Sequence, residues 1–159
     1  MNETDRICEI LDEINQHLEE YEKETISIIS CDVDEIEGHT AERVEITKKI
    51  RHCFDLTDEI CKEIPQGEEI KKIIKNKAVF SEIPQNLENV FRKSEKIHSV
   101  YTRIKDSEVQ AVDRINREKE EILVNIKKTN NGQQAKAAKF AVGLDDGARK
   151  HLGSGVKNV

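Results

Sequence analysis

The stretch Asp5–Ile64, DRICEILDEINQHLEEYEKETISIISCDVDEIEGHTAERVEITKKIRHCFDLTDEICKEI, runs sixty residues with no proline and one glycine, Gly38. Apolar residues return in it at steps of three and four. Ile7, Leu11, Ile14, Leu18, Tyr21, Thr25 and Ile28 form one stripe; Ile46, Ile50, Cys53, Thr57, Ile60 and Ile64 form another, with Ile29 and Ile36 leading into it. That rhythm belongs to an amphipathic helix, since a half-buried strand alternates every second residue. The first stripe keeps seven-residue steps through Ile7, Ile14, Tyr21 and Ile28, and the second falls one residue later in phase. With no proline or glycine pair to enforce a break, the pattern predicts one helix over 5–64. That helix would absorb the slip as a local change of supercoil and span roughly 90 Å at 1.5 Å per residue. A break near Ser30, with Asp32 or Asp34 capping a restarted helix, is the alternative.

Outward from this stretch, Thr4 or Asp5 is the expected cap of the first helix, and Pro65-Gln66-Gly67 its expected stop. A short helix is expected over 68–79, carrying Ile70, Ile73, Ile74 and Phe80 inward. Pro84 suits the first turn of a third helix over 85–129. Its inward positions are Leu87, Phe91, Ser94, Ile97, Tyr101, Ile104, Ala111, Ile115, Ile122 and Ile126, with Val90, Val100, Val112 and Leu123 on its flanks. Glu108 and Glu118 interrupt that stripe, and Asn130-Asn131-Gly132 is a C-terminal stop signal. The fold class expected is all-α: an elongated antiparallel helical hairpin or three-helix coiled-coil bundle. It comprises one bundle over 1–132, with the first helix lying along the third, and then a short Ala-rich helix candidate and a flexible basic tail over 133–159. Few large core residues (no Trp, one Met, two Tyr, four Phe) suit helices that each bury a narrow stripe.

The net charge of -6 conceals an asymmetry. From Lys127 onward seven Lys/Arg face Asp145 and Asp146, a balance of +5, so the remainder carries -11. The tail has neither the aromatic interleaving nor the dense basic stripe that phosphate tracking favours, which argues against nucleic acid. No run of about twenty apolar residues marks a membrane span, and no apolar signal segment follows the opening MNETDR. Cys8, Cys31, Cys53 and Cys61 show no CxxC pairing, as expected of thiols packed between helices in the reducing cytosol.

Enzyme chemistry finds little support along the chain. Glu95-x-x-His98 is a lone E-x-x-H, whereas carboxylate-bridged di-metal bundles use two. His52 and Cys53 are helix neighbours that point about 100° apart, too divergent for a nucleophile-base pair. No catalytic residue, metal site or cofactor is expected. What remains is surface for a protein partner: Ile115, Ile122, Leu123 and Ile126 near the end of the third helix, and Phe140 in its basic continuation, a pattern suited to helix-in-groove pairing.

Three segments carry a family resemblance: Ile26-x-x-x-x-Cys31-Asp32-Val33-Asp34-Glu35-Ile36, the run Ala41-Glu42-Arg43-Val44-Glu45-Ile46, and Asn131-Gly132-Gln133-Gln134-Ala135-Lys136-Ala137-Ala138. With the long acidic heptads around them, these resemble the flagellar export chaperones of the FlgN type. The resemblance implies a cytosolic, non-enzymatic chaperone that grips the terminal helices of flagellar hook-associated (hook-filament junction) proteins before type III export. It implies that the grip falls on Ile115, Ile122, Leu123, Ile126 and Phe140. The alternative reading is a coiled-coil adaptor or scaffold that self-associates as a homodimer.

Overall fold

A computed structural model describes the chain over residues 1–140, and its side chains over residues 1–132. Helices α1 (Glu3–Ser30), α2 (Ile36–Glu63), α3 (Gly67–Ile74) and α4 (Glu88–Phe140) follow in order, joined by 3₁₀ turns at Val33–Glu35, Phe80–Glu82 and Gln85–Leu87. The described residues contain no strand, and the protein is all-α. The chain divides into two units between Val112 and Asp113.

The helix expected over 5–64 is broken. After Ser30 the backbone turns extended at Cys31 (φ -73°, ψ 169°) and Asp32 (φ -65°, ψ 148°) before Val33 begins the 3₁₀ turn. Cys31 N–H still reaches Ser27 O at 2.8 Å, and Glu35 N–H reaches Asp32 O at 2.9 Å, so the corner leaves few backbone groups open. The physical reason lies in the stripes. Ile28 and Ile29 belong to faces about 100° apart, so a straight helix cannot turn both toward one neighbour. Folding back at Ser30 lets α2 lay its stripe against that of α1. Gly38 has nothing within 4 Å of where a Cβ would stand, so the close helix approach it permits is not used.

Within Met1–Val112 the three long elements run up, down and up. α1 and α2 are antiparallel, as the Glu24–His39 and Thr25–Arg43 contacts require. Lys93 Nζ donates to Asp12 Oδ2 at 2.6 Å, and Arg103 makes two 3.0 Å bonds to Glu22. Both pairs are 81 residues apart, so α4 runs parallel to α1 in constant register. The expected antiparallel alignment with α4 holds for α2 alone. The core between them comprises Ile7, Leu11, Ile14 and Leu18 from α1, Cys53, Ile60 and Cys61 from α2, Ile70 and Ile73 from α3, and Leu87, Val90, Ile97, Val100 and Ile104 from the last segment. Val90 and Val100, read as flanking positions, are fully inside, while Tyr101, read as inward, is 51% exposed.

Several ends differ from their signals. Asn2, not Thr4 or Asp5, caps α1: its Oδ1 accepts from Asp5 N–H at 2.8 Å. α3 stops at Ile74 instead of near Val79, because Asn76 adopts a left-handed φ of 59° and Lys77 N–H closes onto Lys72 O at 2.9 Å. Phe80 therefore lies outside the core, its ring 5.2 Å from that of Phe91. α4 passes through Asn130-Asn131-Gly132 without stopping. Asn and Gly permit a left-handed cap but do not compel one, and QQAKAAK beyond them is rich in strong helix formers.

At the α2–α3 joint, a Cβ on Gly67 would stand 1.7 Å from the Cys61 carbonyl oxygen, so only glycine fits. Gly67→Ala is expected to destabilise by on the order of 1–3 kcal/mol or more. Gly38→Ala, on an exposed helical turn with open space, is expected to stabilise by up to about 1 kcal/mol. Denaturant unfolding of both variants checks the opposite signs.

Candidate functional site

The four aliphatic candidates sit on the part of α4 that lies beyond Val112. Ile115 is half-buried, and Ile122, Leu123 and Ile126 are 49%, 43% and 39% exposed. At about 100° per residue, Ile122 and Ile126 fall within ~20° of Ile115 on either side, so the three make one stripe. Leu123 stands on its flank. Val124, 48% exposed, faces nearly opposite and was not legible because it lies off the periodic positions. Side-chain placement of Phe140, and the tail over 141–159, lie outside the described residues. Among the described residues beyond Val112 none is buried. Arg114 Nε donates to Glu118 Oε1 at 2.9 Å, and Thr129 Oγ1 donates to Asn125 O at 2.9 Å.

A different kind of surface lies on the first unit. Leu18, Tyr21, Ile50, Phe54, Tyr101 and Ile104 line an apolar groove of about 500 Å³ between α1, α2 and α4. Arg43 meets two of the groove's lining residues, Tyr21 and Glu108. The guanidinium lies 5.0 Å from the Tyr21 ring centroid, donates to Thr25 Oγ1 at 3.2 Å and pairs with Glu108 at 2.9 Å. This explains Glu108 on an apolar stripe. Burial pushes the Tyr21 hydroxyl above its ordinary value; Arg43 opposes the shift, and Glu108 reinforces it.

The other motifs resolve into structure. His98 of Glu95-x-x-His98 donates from Nε2 to Ile74 O at 3.0 Å, which ties the end of α3 to α4 together with Ser94 Oγ on Ile73 O at 3.1 Å. Cys53 and Cys61 are buried in the core, as is Cys8. Folding nevertheless brings metal-ligand types together in two places. Glu13, His17 and Cys53 form one group and Cys31, Glu35 and His39 the other; in each, the ligand atoms lie within 4.8 Å of one another. Neither was read from sequence. The first joins residues on two helices, and the second depends on the corner that the helix expected over 5–64 lacked. No helix among the described residues is long and apolar enough to cross a membrane. No family model matches the chain, and neither does any curated protein or solved structure.

Burial raises the thiols of Cys8, Cys53 and Cys61 above the ordinary value of 9.0. Raised folded-state values mean that the stability these thiols contribute is fully present below pH 9 and is lost as pH climbs through the raised values. Alkylation of the native protein followed by peptide mass mapping is expected to mark Cys31 well before the other three, and unfolding midpoints are expected to fall above pH 9.

Proposed function

We infer that the chain is a non-enzymatic binding protein that captures an amphipathic helix of a protein client along the Ile115–Ile122–Ile126 stripe of α4, with Leu123 at its edge. The observation that carries this reading is the exposure of Ile122, Leu123 and Ile126 together on one helix. Single exposed aliphatics are ordinary, but a contiguous apolar strip is the usual mark of an interaction surface.

Magnitudes limit what the stripe does alone. Fully burying one such side chain is worth about 1.5–3 kcal/mol, and these are already roughly half covered. Three of them yield on the order of 3–5 kcal/mol gross, short of the ~8 kcal/mol that micromolar binding needs. The remainder falls to the continuation of α4, where Lys127 and Lys128 begin the basic stretch. A client helix with acidic residues at that end gains association rate from charge and holds its register by the aliphatic stripe.

The resemblance to FlgN-type export chaperones supplies the client class: hook-filament junction proteins, held unassembled in the cytosol before type III export. A second reading is favoured by the seven-residue step from Ile115 to Ile122, which is also the spacing of a coiled-coil seam between two copies.

Ile122→Asp with Ile126→Asp is expected to abolish capture of purified hook-filament junction protein in calorimetry, with helicity by circular dichroism retained. Unchanged binding heats overturn the proposal. Light scattering over a concentration range is expected to give a monomer; a dimer that the double substitution dissociates favours the self-associating scaffold.

A further inference from the structure

The corner between α1 and α2 gathers three side chains of the kinds that bind zinc. Cys31 is the residue on which α1 ends, Glu35 closes the 3₁₀ turn, and His39 lies one turn into α2. Their steps are four and four residues. The extended backbone at Cys31 and Asp32 folds the first of them back over the other two. The three ligand atoms lie within 4.8 Å of one another. Tetrahedral zinc with bonds of about 2.0–2.3 Å needs donors closer than that, roughly 3.3–3.8 Å apart. Side-chain rotation at all three residues, none of them buried, is what brings the donors to that spacing.

A fourth residue prepares the imidazole. Glu24 of α1 accepts a hydrogen bond from His39 Nδ1, and both side chains are about three-quarters covered, at 25% and 28% exposure. Metal-bound histidines commonly hand their second ring nitrogen to a carboxylate in this way, which fixes the tautomer and leaves Nε2 with its lone pair. Asp32, Asp34 and Glu37 add negative charge along the same segment of chain. Partly exposed Cys31 differs here from Cys53 of the other group, which is 2% exposed within the apolar core. A thiolate and its ion at Cys53 would have to lose their water among isoleucines. At that group His17 also lies between two carboxylates, 3.6 Å from Glu13 and 3.5 Å from Glu20.

We propose that Cys31, Glu35 and His39 form a binding site for one zinc-class divalent ion, with Glu24 as the positioning residue that orients His39. Thiolate, imidazole and carboxylate suit this metal, and three protein donors leave its fourth position to water or to a donor brought by a partner. The Cys31 proton leaves for solvent on binding. The ion spans the end of α1 and the start of α2, so it fixes the corner from which the hairpin folds back.

Full-length protein, reduced and stripped with chelator, is titrated with zinc chloride by calorimetry and with cobalt chloride in the ultraviolet and visible. One equivalent is expected to bind, with a thiolate-to-cobalt charge-transfer band and with protection of Cys31 from alkylation in the unaltered chain. Glu24→Gln is expected to weaken binding about 10–100-fold, and Cys31→Ser or His39→Gln more than that. Cys53→Ser is expected to leave binding unchanged. A cobalt spectrum without the thiolate band, unchanged alkylation of Cys31 in zinc, or binding that survives Cys31→Ser and fails in Cys53→Ser overturns the assignment.

Discussion

The one-residue slip in phase between Ile28 and Ile29 is the constraint on which the bundle depends. Upstream of it, Ile7, Leu11, Ile14 and Ile28 define a face that is wholly covered. Downstream, Ile46, Cys53, Thr57 and Ile60 define another that is nearly as well covered. Both faces have to find apolar neighbours, and in a straight helix they would look in different directions. The chain satisfies both by leaving the helix for two extended residues and returning antiparallel. α4 then enters parallel to α1, held in register by the Asp12–Lys93 and Glu22–Arg103 pairs. Such solvent-facing pairs add little stability, and their effect here is to fix alignment.

Arg43 shows how the same hairpin handles charge near its closed end. Its side chain is 13% exposed, so leaving it unpaired would be costly. Thr25, the Tyr21 face and Glu108 take up the guanidinium from α1 and from α4, although Nε has no partner among the described residues. Thr25 in turn donates to Tyr21 O at 3.0 Å, so hydroxyl, guanidinium and carboxylate form one connected set. Beyond this polar layer the core thins, with Ala111 the last buried residue of α4 among the described residues. From Asp113 to Gly132, the aliphatic side chains are at most half-buried.

What the sequence made legible follows from what periodicity encodes. Both stripes of the first sixty residues were readable because each helix buries one face and burial repeats every three or four residues. Pro65 and the segment around Pro84 were readable because proline acts locally. The fold-back was not, since no local breaker marks Ser30–Asp32 and the choice between bending and breaking was made by tertiary packing. The Asn76 stop and the passage of α4 through Gly132 were missed for a related reason: asparagine and glycine allow a left-handed turn, and neighbouring residues decide whether it is taken. Pairings such as Arg43 with Glu108, 65 residues apart, leave no trace in a single chain's pattern. The Cys31–Glu35–His39 group is local in sequence, yet it becomes a group only once the corner exists. On the aliphatic stripe the sequence was more informative, because Ile115, Ile122 and Ile126 keep the helical phase after the core has ended.

Hydrogen exchange, resolved by segment in the free protein and with a helix-bearing client, tests the account most directly. Amides of Ile7–Leu18 have a packed core to open, whereas among the described residues none of Asn116–Lys128 is buried. The account predicts slow exchange in the first segment, much faster exchange in the second, and strong slowing of the second alone when client is added. Exchange over Asn116–Lys128 as slow as that of Ile7–Leu18 in the free protein, or unaltered by client, would contradict it.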